Sequence, residues 1–266
     1  MTSDLDQRLR FGLAAAREAQ HLILKHYQSA ELAVEVKSDE SPVTVADRGA
    51  EQLIRERLAD AFPQDGVFGE EFGESEGTNG YRWILDPIDG TKAFVAGVPL
   101  FGCMLGLERD GDCALGIVRF PALDEVVYAT VGGGAWWQRG VEPPRPAHVT
   151  KTSQLRESLL CFTDVDGWLK VAQLDTFERL VRSARIVRGW GDCYGHCLVA
   201  LGRADVMIDP LLNPWDAAAL VPIVEEAGGR FVAWNGERTI HGGNGVSSNG
   251  RLQDEILALL QENHPT

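Results

Sequence analysis

The chain has 266 residues, 39 of them acidic and 25 basic, for a formal net charge of −14. That length suits one large domain or two closely packed lobes, and 44% apolar with 24% charged residues is a globular rather than a disordered composition. The acidity excludes a large nucleic-acid footprint, because phosphate backbones call for Lys/Arg-rich surfaces, and leaves a solvated surface or a cation-gathering site as uses for the surplus carboxylates.

Leu5, Leu9, Leu13, Ala16, Ile23 and Leu24 recur near helical spacing and predict a helix over residues 4–28, with Asp4 at its start. A polar loop, Lys37-Ser38-Asp39-Glu40-Ser41-Pro42, leads to a second helix over 44–58, with Pro63 beyond its end. The period then changes. Residues 67–68 and 82–85 are short strands separated by Gly-rich loop. Residues 100–108 and 113–120 form a hairpin with Asp110-Gly111 at the turn, and 125–131 and 135–138 continue an antiparallel sheet. The Pro-rich stretch 141–147 is the expected linker. It divides an N-terminal lobe of helices and antiparallel sheet, 1–145, from a C-terminal α/β lobe, 146–266. In that second lobe strands at 159–163, 185–187, 205–208 and 230–234 alternate with helices at 166–181, 192–201, 216–227 and 252–261. Gly228-Gly229 closes the third of these helices.

The most informative segment is Trp83-Ile84-Leu85-Asp86-Pro87-Ile88-Asp89-Gly90-Thr91. An apolar strand runs into two aspartates, and Pro87 is expected to end the sheet. Gly90 lets the backbone approach a ligand closely, and a helix can begin near Thr91. Hard oxygen ligands would then lie beside exposed backbone N–H groups, a pairing that suits a divalent cation and a phosphate together. Glu70-Glu71 follows another strand end, and Asp216 opens a helix. Taken singly, each has a plainer reading: a turn for Asp86 and Asp89, a solvated loop for Glu70-Glu71, an N-cap for Asp216. Converging, these carboxylates would repel one another and need cations, of which magnesium is favoured because it binds a few carboxylates plus substrate phosphate.

Residues 83–91 with Phe94 resemble the first signature of the inositol monophosphatase superfamily. Trp215-Asp216-Ala217-Ala218 followed by Glu226-Ala227-Gly228-Gly229 resembles its second, and Pro42-Val43-Thr44-x-x-Asp47 and Gly69-Glu70-Glu71 match the remaining active-site blocks, all in family order. Lys92-x-Phe94, Gly97-Val98-Pro99-Leu100, Gly191-Asp192-Cys193-Tyr194-Gly195 and Trp215-Asp-x-Ala-Ala-Leu220 are similar to the histidinol-phosphate phosphatase branch. Ala93 and Ala96 depart from that branch, which usually has a Ser and a basic residue there.

The resemblance implies a layered αβαβα sandwich with the site between the lobes, a homodimer, and metal-assisted hydrolysis of a small phosphorylated metabolite. It places one magnesium on Glu70, Asp86 and the Ile88 carbonyl, and a second on Asp86, Asp89 and Asp216, with a third, weaker ion near Glu70. Such ions lower the pKa of a water and neutralise the phosphate. Glu70 and Thr91 would orient the attacking water, Asp47 would accept from Thr91, and the backbone at Gly90 and Thr91 would face the phosphate. Asp209, Arg188 and Asp192 are the expected substrate contacts, with Asp192 available to a substrate ammonium or imidazolium. Arg188 in a surface ion pair and Asp192 as a helix cap are the plainer alternatives. Lys37 lies in the loop that covers the metals in relatives. Histidinol phosphate is the expected substrate; inositol 1-phosphate, a nucleotide 3′-phosphate or a range of sugar phosphates are the alternatives within the class, and an inactive metal-binding interaction protein the alternative outside it.

Other features point elsewhere only weakly. Five cysteines, at 103, 113, 161, 193 and 197, are too few and odd in number for a disulfide framework. Cys193-x-x-His196-Cys197 lacks a second ligand pair for zinc. Asp164-Val-Asp166-Gly167 lacks the later Gly and Glu of a calcium loop. Gly132-Gly133-Gly134 opens no dinucleotide-type helix, Trp136-Trp137 suits packing in so acidic a chain, and no Gly-x-Ser-x-Gly occurs. The polar start resembles no signal peptide, and no apolar run approaches the ~18 residues of a membrane span. A cytoplasmic protein is expected.

Overall fold

A computed structural model describes residues 4–30, 34–36 and 42–261. Lys37 and the rest of the polar loop before Pro42 lie outside the described residues. The helix Asp4–His26 and the helix Val45–Ala61 lie side by side on one face of an eight-stranded sheet. Ala15, Ala16, Ala19 and Ile23 of the first are buried against it. Gly12 allows the close approach, since a Cβ there would stand 2.5 Å from Ile117 Cδ1.

In spatial order the sheet runs Arg145–Pro146, Gly134–Arg139, Glu125–Thr130, Asp112–Phe120, Gly102–Arg109, Tyr81–Asp89, Gly66–Gly69 and Gly73–Ser75. All neighbours are antiparallel except Gly66–Gly69 and Tyr81–Asp89, which are parallel. The expected Asp110-Gly111 turn is present with both residues at positive φ, 54° and 88°, the conformation that matches strand twist in a two-residue hairpin. Residues 141–147 are more than a linker, because Arg145–Pro146 pairs with Trp136-Trp137 as the edge of the sheet.

A second sheet has the order Ile186–Arg188, Leu159–Phe162, Val206–Asp209, Gly245–Ser248, Arg230–Val232, with its first three strands parallel. The helices Asp192–Ala200 and Leu220–Glu226 are packed between the two sheets, where Val118, Phe120, Cys197, Leu220, Ile223 and Phe231 share one core. Beyond the second sheet lie Val165–Lys170, Leu174–Ser183 and Gln253–Gln261, around Leu160, Trp168, Leu180 and Ile256. The layers are therefore helix, sheet, helix, sheet, helix.

Two expected helices are broken, each for a packing reason. Residues 166–181 divide at Ala172, whose φ is +55°. Trp168 and Phe177 would face opposite sides of one straight helix, being about two and a half turns apart. The break lets both rings meet at 5.2 Å. Residues 216–227 divide after Pro214–Ala217, where Ala218 and Ala219 press onto the sheet.

Candidate metal centre and active-site cleft

The Tyr81–Asp89 strand does not stop before Pro87, as its sequence suggests. Asp86 pairs with Met104 and Asp89 with Gly102, and a register shift absorbs Pro87-Ile88 between them. A bulge is where a sheet tolerates proline, because no ladder N–H is needed there. The Ile88 amide instead donates to Asp86 Oδ1 at 3.0 Å. The shift puts Asp86 and Asp89 at one sheet end, and Cys193 N–H donates to Asp89 Oδ2 from the central helix layer. Gly102 makes room for that helix, since a Cβ there would stand 2.6 Å from Cys193 Sγ.

Asp216 reaches the same point from the second half of the chain. It is not an N-cap. Asn213 holds that position, and Asp216 Oδ2 accepts the Asn213 N–H at 2.7 Å from the third helical position. The helix can approach because Gly106 and Gly116 face Ala218 and Ala219: a Cβ at Gly106 would stand 2.6 Å from Ala218 Cβ, and one at Gly116 would overlap the Ala219 carbonyl. As a result each of Asp86, Asp89 and Asp216 offers one oxygen within 4.8 Å of the other two.

Among the described residues no lysine or arginine forms an ion pair with these three aspartates. Burial, then the charges of Glu70, Asp89 and Asp216, push Asp86 well above the ordinary aspartate range. Burial and the charges of Asp192 and Asp216 do the same to Asp89. Asp216 is pushed up to about 7 by burial and by Glu70 and Asp209. A donor set made only of hard oxygens, crowded enough to resist ionisation, suits a small divalent cation.

Glu70 lines an adjoining pocket with Gly90, Thr91 and Asp192. Its loop is braced by Glu51, a fully buried acid whose oxygens accept the N–H groups of Glu71 (2.8 Å) and Phe72 (3.2 Å) and the Arg55 guanidinium (2.7 Å). Gly90, at φ +80°, starts the Thr91–Val95 helix, whose first N–H groups have no partner within the helix. The expected bond from Thr91 to Asp47 is not formed. Thr91 Oγ1 donates to the Ile88 carbonyl at 2.9 Å. Asp47 is filled by Thr44, whose N–H and hydroxyl donate to it at 2.8 and 2.6 Å in a capping box at the start of its helix.

A cavity of about 190 Å³ adjoins the carboxylates. Asp89, Asp192, Asp209 and Asp216 line it, with Asp164 and Lys92, Asp166 and Lys170, Thr163 and His196 among its other walls. Asp192 heads its helix at φ +53°, without capping it; Gly191 has the cap position. Burial and the charge of Asp209 push it up to about 7. Arg188 does not line this cavity. It is exposed on the edge strand and donates to its neighbour's carbonyl, Val187 O, at 2.8 Å.

The family model for the inositol monophosphatase family matches residues 4–265. The chain belongs to the inositol monophosphatase family. It is 43% identical over 261 residues to a histidinol-phosphatase of Chlorobaculum parvum, covering 98% of this chain and 97% of that protein. It is 39% identical to a histidinol-phosphatase of Mycobacterium tuberculosis, covering 95% and 97%. Among solved structures, the inositol monophosphatase of Thermotoga maritima superposes with a TM-score of 0.86 at 30% identity, covering 96% of this chain and 97% of that one. Family membership makes this chain a phosphoric monoester hydrolase that acts on small phosphorylated compounds, in a family whose members are generally metal-dependent.

Several residues that shape the family's cleft here carry no sequence signal of their own. Glu51, Thr163, His196 and Asn213 act through hydrogen bonds to other site residues. Only Asn213, three residues before Asp216, could have been found from sequence, as the start of a capping box. All five cysteines are buried free thiols, and among the described residues the one metal-competent group is the aspartate cluster. No described helix is long and apolar enough to cross a membrane.

Proposed function

We propose that this phosphatase hydrolyses histidinol phosphate in a magnesium-dependent reaction. The observation that carries the reading is the charge of the cavity beyond the metal ligands. Lys92 pairs with Asp164 and Lys170 with Asp166, both at 3.0 Å. Among the described residues no lysine or arginine forms an ion pair with Asp192 or Asp209, so the cavity keeps negative charge for a substrate that brings its own cation. An amino alcohol with an imidazole does so; inositol does not. The names of the two bacterial relatives favour the same substrate.

Two magnesium ions, with a third more weakly held, fit the donors. Glu70, Asp86 and the Ile88 carbonyl would hold one; Asp86, Asp89 and Asp216 would hold another. Bound there, they supply Lewis acidity toward the phosphate and toward the attacking water. The protein's own part is to place groups. Gly90 and Thr91 present backbone N–H groups to the phosphate at a helix start. Glu70 and the Thr91 hydroxyl orient the attacking water. Asp47 supports the Pro42–Thr44 segment and, through it, the edge of this cleft. Arg188 is outside the lining of the cavity, so the substrate contacts proposed within it are Asp192 and Asp209. We further propose a cytoplasmic homodimer with lobes 1–145 and 146–266.

The test is phosphate release, with and without magnesium, from histidinol phosphate, inositol 1-phosphate, fructose 1,6-bisphosphate and phosphoadenosine phosphate. Histidinol phosphate should lead by at least about tenfold in kcat/KM, or ~1.4 kcal/mol of differential transition-state binding. A flat profile would remove the specific substrate and leave the phosphatase.

A further inference from the structure

We propose that Thr163 and His196 are positioning residues that hold Asp209 and Asp192 in place for the cationic end of the substrate. This rests on the histidinol phosphate reading and extends it to residues that touch no phosphate or metal.

The placement follows from strand register. Phe162 pairs with Ile208 in adjacent parallel strands, so the next residues, Thr163 just past its strand and Asp209 at the end of its own, stand side by side. Thr163 Oγ1 donates to Asp209 Oδ1 at 2.5 Å. The other oxygen, Oδ2, lies 3.1 Å from His196 Nε2. His196 Nδ1 lies 2.7 Å from Ser247 Oγ, on the strand flanking Asp209 from the other side. The imidazole therefore bridges Asp209 and Ser247, with Nε2 placed to donate to the carboxylate. His196 and Ser247 are both fully buried and Asp209 is nearly so.

Thr163 does a second thing. Its one hydroxyl accepts the Asp192 N–H at 2.9 Å while donating to Asp209. That contact helps hold Asp192 at φ +53°, a backbone state that costs a non-glycine residue free energy. Gly191 permits it, because a Cβ there would overlap Thr163 Cα. One hydroxyl thus ties together the two aspartates that, among the described residues, pair with no lysine or arginine. An imidazole and two hydroxyls fix their geometry.

Kinetics on two substrates separates this role from a structural one. Histidinol phosphate carries the cation; p-nitrophenyl phosphate does not. Thr163→Val, isosteric but without the hydroxyl, and His196→Leu should each lower kcat/KM for histidinol phosphate about tenfold, mainly through KM. The same variants should change p-nitrophenyl phosphate turnover less than about twofold. Thr163→Ser and His196→Gln, which keep a donor, should restore most of the loss. An equal loss on both substrates, or no loss in Thr163→Val, overturns the positioning role. If His196→Leu does not fold, Thr163→Val decides alone. A wild-type protein inactive on histidinol phosphate but active on p-nitrophenyl phosphate overturns both this role and the substrate reading.

Discussion

Asp86 is held by its own backbone, accepting the Ile88 N–H with Oδ1, while offering an oxygen toward Asp89 and Asp216. The three acids stay close against their mutual repulsion because each is tied to a main-chain amide: Ile88, Cys193 and Asn213. Removing one charge should therefore separate function from stability. Asp89→Asn should cut magnesium-dependent phosphate release by more than about a hundredfold, since even outer partners of a metal site are worth about 10–100-fold. The same variant should melt at a higher temperature than wild type when magnesium is withheld, because a like-charge contact is gone. Full magnesium-dependent activity in Asp89→Asn would remove Asp89 from the centre. Thr91→Ala should lower kcat more than it weakens magnesium binding, read by calorimetric titration beside steady-state kinetics. At this scale the sequence was legible where chemistry is contiguous: Asp86-Pro87-Ile88-Asp89-Gly90-Thr91 announces itself. Glu51, Thr163 and His196 were not legible, because a buried polar side chain that serves a residue far along the chain leaves no local pattern.

The elements that carry these residues are set by small side chains at crossings. The short helix with Asp216 sits on the sheet through Ala218 and Ala219 against Gly106 and Gly116. Gly116→Val would force the Ala219 carbonyl away. It should cost about 1–3 kcal/mol in urea unfolding, the usual range for overpacking, and should weaken magnesium binding as Asp216 withdraws. A stability loss with unchanged magnesium affinity would show that the crossing serves the core alone. Most elements were legible from periodicity: the first helix, the Asp110-Gly111 hairpin and the alternation of strands and helices in the second half stand where their patterns place them. The strand Gly245–Ser248 was missed, because its small polar residues carry no apolar pattern although both neighbouring strands pair with it. The other misses were interruptions decided by tertiary contact. Pro87 is accommodated by a bulge, residues 166–181 break so that Trp168 and Phe177 share a core, and Ala218-Ala219 turn where the sheet stops them.

For the whole molecule, the raised carboxylates fix the sign of the pH dependence. Asp192 and Asp216 move from 3.8 up to about 7, and Asp86 and Asp89 move in the same direction. Between those values the folded protein holds more protons than the unfolded chain, so these groups make the metal-free protein less stable as pH rises through that window. Below it both states are protonated; above it the full repulsion is present. Magnesium offsets that repulsion, and calorimetry should show a larger rise in Tm on adding magnesium at about pH 8 than at about pH 5.5. Equal shifts at the two pH values would mean that ions bind away from these acids. The five thiols carry a different consequence. All are buried, and burial pushes Cys103, Cys113 and Cys161 up to about 12 and Cys193 and Cys197 upward as well. A thiol that is both shielded and protonated does not react with alkylating reagents. The native protein is therefore silent to them, and each molecule that opens is marked permanently. Cys113 and Cys161 are on the two sheets and Cys193 is on the helix between them, so the chain records, residue by residue, the order in which its own layers come apart.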